Sequence, residues 1–282
     1  MTTDRPRARP DTIRPFRSAD LAGAVAANEA IGWRHRGALF EFYAARDDSA
    51  LFVAERDGEI VGTAGATVFP GTTPTGWVHG IVVRPERQRT GLGARLTGTA
   101  IAWLRARSAG AVLLLATDAG RPVYERLGFV GGGRYGLFPW PPGTEPGMTV
   151  GPMRELHRPG VRALDREATG EDRGGLIDTL ADRGWVAARG ADVAGFHLAC
   201  PWGGGPTIAR DAVTGLALLR LSSSVQRVAS RGVGVPEANA VAVAYLAELG
   251  IAAERYVTRM WLGTPPPWRA DMIFGVFNFG VA

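Results

Sequence analysis

Apolar and polar residues recur along the first half of the chain with two different periods, which predict strands interspersed with helices. Residues 50–69 alternate around Asp57-Gly58, as is typical of a β-hairpin. Residues 92–110 place apolar side chains at helical spacing, and residues 111–117 form a short apolar run of the kind that is buried on both faces of a sheet. Further elements are predicted at 12–20 (a strand and a helix cap), 21–33 and 34–48 (helices), 76–83 (a strand) and 120–130 (a helix that runs into a strand).

The second half repeats this order loosely. A Pro/Gly-rich stretch at 139–147 is the best candidate for a linker. YERLGF of the first half reappears as YLAELGI, a weak repetition that suggests duplication. The pattern predicts a hairpin at 184–202, helices at 211–225 and 237–251, and strands at 231–235 and 256–262. The predicted organisation is a basic flexible arm (1–11), a first domain (12–138), a linker (139–155) and a second domain (156–282).

The composition indicates a folded protein rather than a disordered one. The chain has 282 residues, 46% of them hydrophobic, and no apolar run reaches the length of a membrane span. The polar, Arg-rich start lacks the apolar stretch of a secretory signal, so a cytoplasmic location without membrane attachment is expected. Cys200 is the single cysteine and lies in an apolar context, which indicates a buried structural residue rather than a nucleophile.

The charge favours an anionic partner. All 32 basic residues are arginines, and the formal net charge is +5. This modest excess suits an anionic small ligand or a nucleic acid.

The segment GIVVRPERQRTGLGARL, residues 80–96, carries the clearest candidate chemistry. A strand that ends at Val83 is followed by Arg84-Pro85, and Gly91 and Gly93 then open a helical pattern. Consecutive N–H groups at the start of a helix bind anions, so a pyrophosphate fits this turn. A dinucleotide fingerprint needs a small residue where Leu96 stands, and a Walker loop needs a lysine, so neither interpretation holds.

The pattern Gln/Arg-x-x-Gly-x-Gly after V-x-P resembles the acyl-CoA loop of the GCN5-related N-acetyltransferase (GNAT) superfamily. The match consists of Val83, Pro85, Gln88, Gly91 and Gly93. A second family hallmark is similar to residues 122–129, PVYERLGF. Where Arg89 stands, the family often has glycine.

The second half resembles a GNAT subgroup with an appended acetyltransferase-like domain. The resemblance implies an α/β fold of two tandem GNAT-like domains, with mixed central sheets flanked by helices, an active N-terminal domain and a degenerate C-terminal domain. A glycine run at 202–206 lacks the Gln/Arg-x-x-Gly pattern and is expected to be a strand-to-helix turn, with Arg210 and Asp211 capping the next helix. The matched positions are Asp165, Gly170, Asp172, Arg173, Gly205-Pro206, Val235-Pro236, Asn239, Leu249-Gly250 and Arg259-Met260.

The resemblance also assigns site residues. Tyr124 matches the tyrosine that often protonates the leaving thiolate, although it could instead only pack against the CoA arm. His79 lies on the strand before the loop, where a base often stands; strand alternation predicts that it shares a face with Ile81 and Val83. A histidine satisfied within the sheet, no base at all, or Glu55 as the base stay open. The expected acyl-CoA contacts are Ile81, Val82, Val83, Gln88, Arg89, Thr90, Gly91, Leu92, Gly93 and Ala94.

The acceptor is expected between the first two helices, at Trp33, Arg34 and His35, where Arg34 and Arg36 could bind a carboxylate. The resemblance implies an N-acyltransferase that moves an acyl group from acetyl-CoA or another acyl-CoA to a primary amine of a small molecule, without a metal. Two alternatives are a transferase of natural-product biosynthesis with a carrier-protein or aminoacyl-tRNA donor, and a non-catalytic CoA-binding sensor or scaffold. Both a monomer and a homodimer fit the sequence.

Overall fold

The computed structural model describes residues 11–34, 36–143, 150–225 and 232–280, and its elements follow the predicted order. The helices are α1 (Leu21–Glu29), α2 (Gly37–Ala44), α3 (Leu92–Arg105), α4 (Arg121–Arg126), α5 (Arg158–Thr169), α6 (Gly174–Leu180), α7 (Ala212–Val225) and α8 (Ala240–Glu248). The strands are β1 (Thr12–Pro15), β2 (Ser49–Arg56), β3 (Glu59–Phe69), β4 (Thr75–Val83), β5 (Ala111–Ala116), β6 (Val130–Phe138), β7 (Val150–Pro152), β8 (Gly184–Arg189), β9 (Asp192–Leu198), β10 (Thr207–Ala209), β11 (Val233–Pro236), β12 (Arg255–Leu262) and β13 (Ile273–Gly275).

Two sheets flanked by helices confirm the predicted α/β fold class, but only the first sheet is mixed: all described pairings of the second sheet are antiparallel, whereas mixed sheets were expected in both domains. Within the described residues, the first sheet has the order β1-β2-β3-β4-β5-β12-β6-β11 and the second β13-β10-β9-β8-β7. The predicted hairpin of the first half is β2–β3, whose turn residues Asp57 and Gly58 have φ of 50° and 84°. Such left-handed pairs match the twist of a two-residue hairpin.

The two halves of the chain share the first sheet. Strand β12 lies between β5 and β6 and pairs antiparallel with both. Strand β11 pairs antiparallel with the other edge of β6. The first sheet therefore contains strands from both sides of the predicted linker. The domain boundaries at 138 and 156 stay a prediction. The basic arm up to residue 10, and residues 144–149 of the predicted linker, lie outside the described residues.

The glycine run at 202–206 is a strand-to-strand connection, because it joins β9 to β10 and not a strand to a helix as predicted. Gly203 and Gly204 have φ of 87° and 74°, and a Cβ on Gly205 would collide with the carbonyl of Leu198. Helix α7 starts only after β10, where Asp211 Oδ1 accepts from the backbone N–H of Thr214 at 2.9 Å.

Several positions of the second-half pattern stabilise the fold. Arg173 and Asp165 form a fully buried ion pair at 2.6 Å, and Gly170, with φ of 71°, ends α5 in the left-handed conformation. Asn239 caps α8 by accepting from Ala242 N at 3.0 Å. These residue types are thus explained by packing and capping.

None of the described helices is long and apolar enough to cross a membrane.

Candidate active site

Strands β4 and β5 separate at the centre of the first sheet. They pair in parallel from Thr75 opposite Ala111 to Trp77 opposite Leu113, and no further pairing is found along their described length. Beyond that point β4 continues to Val83, while β5 pairs with β12 on its other side. A cavity of about 730 Å³ lies at the separation, lined by residues of both strands and of the flanking helices and loops.

A β-bulge in β4 changes the direction of its side chains where the strand lines the cavity. His79 is opposite Gly65 and Val82 is opposite Thr63, so Gly80 and Ile81 together face one residue of β3. Gly80 has φ of 60°, which glycine adopts without steric cost, and its carbonyl accepts from Thr63 Oγ1 at 2.8 Å.

The bulge overturns the prediction that His79 shares a face with Ile81 and Val83. Trp77 and His79 face helices α1 and α2, where His79 stacks on Tyr43. Ile81 and Val83 instead pack toward helix α3. The extra residue reverses the alternation, and nothing in the period-two pattern marks it apart from Gly80 itself.

The loop before α3 presents free backbone donors. Within the described residues, no acceptor is found for the N–H groups of residues 89–94, and Gly91, with φ of 82°, precedes the first turn of α3. Arg89 has φ of 61°, which is costly for a residue with a Cβ and accounts for the glycine that the family often has there. Six donors and the positive end of a 14-residue helix form a site suited to a pyrophosphate.

An acidic residue outside the expected loop braces it. Asp11 is buried and binds Arg87 Nη2 at 2.8 Å, and its carbonyl accepts from Arg95 Nη2 at 2.8 Å. No pattern in the sequence marks this contact, because Asp11 lies at the end of the predicted basic arm.

Most of the expected acyl-CoA contacts line the cavity. Thr90 and Leu92 do not: the Thr90 hydroxyl donates to the carbonyl of Arg87 at 2.8 Å, and Leu92 belongs to the core. The expected residues that do line it are Ile81, Val82, Val83, Gln88, Arg89, Gly91, Gly93 and Ala94.

Tyr124 on α4 lines the cavity. Its ring is 8% exposed, packs edge-on against Phe129, and has no hydrogen-bond partner for its hydroxyl in the part of the chain that the structure describes. Burial raises the pKa of Tyr124 to about 12. The phenol is therefore protonated at neutral pH and can donate to a group placed in the cavity.

His79 lines the cavity, but its surroundings make it a weak base. The ring lies 4.2 Å from the ring of Tyr43, and Nε2 lies 3.0 Å from Thr67 Oγ1. Burial, with a smaller contribution from the charge of Arg36, lowers the pKa of His79 to about 3. A ring of this pKa is neutral at pH 7 and does not retain a proton taken from an ammonium group.

Glu55, the alternative base, is not part of the cavity lining. Its carboxylate binds Arg14 Nε at 2.8 Å at the β1–β2 edge of the sheet.

The acceptor residues expected from the sequence are brought to the cavity only in part. Trp33 lines it, whereas Arg34 is exposed and does not, and His35 lies outside the described residues. Arg36 lines the cavity with its guanidinium 4.8 Å from the centre of the Trp33 ring.

The end of the chain completes this part of the cavity, which sequence analysis missed. Arg255 of β12, together with Asn278 and Phe279, lines it, and Asn278 Nδ2 donates to the Tyr43 hydroxyl at 3.1 Å. The nearest predictive signal was Arg259-Met260 on the same strand, but Arg255 itself belongs to no motif.

The lining is cationic. It contains Arg89 of the loop before α3, Arg126 of α4, and Arg36 and Arg255 at the Trp33 end of the cavity, where the sequence predicts the acceptor (the acceptor end). It contains no Asp or Glu from the described residues. Burial, and then the charge of Arg255, lower the pKa of Arg36 to about 10, so it remains a cation at neutral pH.

Both halves of the chain match acetyltransferase families. The family described as "Acetyltransferase (GNAT) family" matches residues 21–129, and the one described as "Acetyltransferase (GNAT) domain" matches residues 161–275. Together the two matches cover most of the chain.

Curated relatives match a shorter segment. The mycothiol acetyltransferase of Thermomonospora curvata is 41% identical over 86 residues, which are 29% of this chain and 28% of that protein. The mycothiol acetyltransferase of Streptomyces coelicolor is 36% identical over 87 residues, 30% of this chain and 28% of that protein. The match thus spans less than a third of these relatives.

Solved structures share the fold over nearly the whole chain. A Pyrococcus horikoshii protein assigned as an acetyltransferase has a TM-score of 0.79 at 20% identity, covering 99% of this chain and 98% of that one. A GCN5-related N-acetyltransferase of Sphaerobacter thermophilus has a TM-score of 0.59 at 18% identity, covering 92% and 97%. The chain therefore belongs to the GNAT acetyltransferase family and carries two GNAT regions in tandem, as the sequence motifs predicted.

Proposed function

We propose that the chain is an acyl-CoA-dependent N-acyltransferase that acylates a primary amine of a small molecule. One observation carries the proposal: a single cavity is lined by the separated edge of β4, by Tyr124 and by four loop residues whose N–H groups have no acceptor among the described residues, Arg89, Gly91, Gly93 and Ala94. The relatives named mycothiol acetyltransferase favour acetyl as the transferred group.

The cavity offers each part of acyl-CoA a suitable partner. The N–H groups before α3, with the guanidinium of Arg89 in the same loop, would hold the pyrophosphate. The backbone of residues 81–83, which is not paired with β5, would hydrogen-bond the amides of the pantetheine arm. No metal takes part in this assignment.

The reaction is a direct transfer from sulfur to nitrogen. The amine lone pair forms the new C–N bond at the thioester carbonyl, the C–S bond breaks, and the nitrogen loses one proton while the sulfur gains one. Tyr124 supplies or shares the proton that reaches the sulfur, because its phenol is protonated at neutral pH and has no competing partner in the described chain.

The second proton needs no strong base in this arrangement. Arg36 and Arg255 create a positive potential at the acceptor end, and no described carboxylate there offsets it. Nearby positive charge lowers the pKa of a bound ammonium and favours the neutral, nucleophilic amine. His79, neutral at pH 7, would accept a hydrogen bond from the amine or from a water rather than store its proton.

Calorimetry with acetyl-CoA tests the donor site. Gly93→Asp places a carboxylate at the pyrophosphate position and should weaken acetyl-CoA binding about ten-fold or more. Gly98→Asp on the same helix is the matched control, because a Cβ there meets no atom within 4 Å and the residue is not in the lining. A folded wild-type protein that binds neither acetyl-CoA nor longer acyl-CoAs would contradict the proposal.

Turnover is measured separately as thiol release with a panel of amines. Binding of acetyl-CoA without thiol release from any amine would instead favour the non-catalytic alternative, a CoA-binding sensor or scaffold. Salt-sensitive retention of tRNA or of an acidic carrier protein would favour the alternative donors.

A further inference from the structure

The acceptor end of the cavity carries a cation for which the described chain supplies no counter-ion. Arg36 is half-buried and lines the cavity, and no ion pair or hydrogen bond joins its guanidinium to any described residue. Every other arginine of comparable burial in the first half, such as Arg14 and Arg46, binds a carboxylate. A cation withdrawn from water without a partner is costly, which points to a ligand that completes it.

The orientation of Arg36 leaves its donors available. Its guanidinium lies over the ring of Trp33, 4.8 Å from the ring centre. An aromatic ring does not replace a carboxylate as a hydrogen-bond acceptor, so the N–H groups of Arg36 can still bind a carboxylate through two parallel hydrogen bonds.

A second cation from the other half of the chain reinforces the first. Arg255 lines the same end of the cavity, and its positive charge contributes to lowering the pKa of Arg36. Two guanidinium groups of like charge repel each other, and an anion between them removes that repulsion.

The surrounding walls are aromatic rather than charged. Trp33, Phe40 and Phe279 line this end, and Asn278 is fixed there by its hydrogen bond to Tyr43. An apolar body with one anionic group therefore fits better than a polycationic amine, which would meet two arginines and no Asp or Glu among the described residues of the lining.

From this arrangement we infer that the acceptor is an amine that also bears a carboxylate, held by Arg36 with Arg255 supporting it. The inference rests on the proposed function for the role of the amine, but the anion site itself can be measured without turnover. It also gives the second half of the chain a direct part in choosing the acceptor, through a strand that crosses into the first sheet.

Binding of two matched probes tests the anion site. Phenylacetate and phenylacetamide have the same shape and differ in charge, and tryptophan fluorescence would report their binding near Trp33, in the presence and absence of CoA at low ionic strength. Phenylacetate should bind about ten-fold more tightly or better, and Arg36→Gln should abolish the difference. Arg34→Gln is the matched control, because Arg34 is exposed and outside the cavity lining.

Turnover of a second pair then links the site to the reaction. Thiol release should give a higher kcat/KM for L-phenylalanine than for L-phenylalaninamide, and Arg36→Lys should retain part of the preference that Arg36→Gln loses. Equal binding of the two probes, or a preference that survives Arg36→Gln, overturns the inference even if acetyl-CoA binds normally. Loss of acetyl-CoA binding with the phenylacetate preference intact would instead contradict the proposed function alone.

Discussion

The indole Nε1 of Trp77 donates a hydrogen bond to Glu171 Oε1 at 2.7 Å, joining β4 to the loop after α5 across 94 positions of the sequence. Both residues are buried, and Trp77 is the last residue of β4 that pairs with β5 before the cavity opens. The bond therefore anchors the second half of the chain to the point where the candidate site begins.

The burial of Glu171 predicts a pH dependence of stability. Burial raises the pKa of Glu171 from 4.5 to about 7, so the folded state binds a proton that the unfolded state has released between these values. The stabilisation is complete below pH 4.5 and is lost as the pH rises through 7. Relative to Glu171→Gln, which keeps an acceptor for Trp77, wild-type stability should fall between pH 5 and pH 8 by at most about 3 kcal/mol.

Urea unfolding at a series of pH values measures this effect. Glu41→Gln is the matched control, because it makes the same substitution at an exposed position of α2. Parallel slopes for the wild type and Glu171→Gln would contradict the assignment of the protonation to Glu171.

Tyr124→Phe should lower kcat about 100-fold or more, in the range of general acid catalysis, and change the Kd of acetyl-CoA less than about two-fold. The ring and its contact with Phe129 remain, and only the hydroxyl is lost. Because the pKa of Tyr124 is about 12, its ionisation should also cause no alkaline loss of activity below about pH 10. Tyr256→Phe, at an exposed position of β12, is the control. An unchanged kcat in Tyr124→Phe would leave this tyrosine a packing role only.

His79 predicts the shape of the acid limb of the pH–rate profile. With a pKa lowered to about 3, the ring does not titrate between pH 5 and pH 8. As the pH increases, kcat/KM should therefore rise along the titration of the acceptor amine and show no separate histidine limb near 6.5. The check is a profile for two amines of different basicity, whose limbs should shift together with the amine pKa. A limb between pH 6 and 7 that is common to both amines and absent in His79→Gln would restore the role of general base.

Local sequence motifs were enough to predict the loop before α3 and Tyr124 as candidate site residues, whereas site residues that depend on contacts distant in sequence were missed. Two short contiguous motifs contain these residues, and each forms a turn or the start of a helix through local contacts. The residues are Gln88, Gly91, Gly93 and Tyr124. Arg255 reaches the cavity only because β12 inserts between β5 and β6, and no periodicity in 255–262 specifies that partner. Tertiary pairing of this kind is set by the fit of whole sheets, which local patterns do not encode.

The face of His79 was mispredicted for a different reason. A single extra residue at Gly80 shifts every later side chain to the opposite face, while the composition of the strand stays the same. Glycine in a strand is compatible with a bulge or with a close approach of another group, and the two cannot be separated from one sequence.

Arg89 provides a test of backbone strain in the α3 loop. Its φ of 61° is left-handed, so Arg89→Gly should stabilise the fold relative to Arg89→Ala by about 1 kcal/mol, because both variants lack the side chain and only alanine keeps a Cβ in a left-handed conformation. Thermal unfolding of the two variants measures this difference. Acetyl-CoA affinity should fall by a similar factor in both, since the guanidinium at the pyrophosphate end is lost while the backbone N–H groups remain. If the glycine variant were the less stable of the two, the left-handed conformation of Arg89 would not be the reason that the family often has glycine at this position.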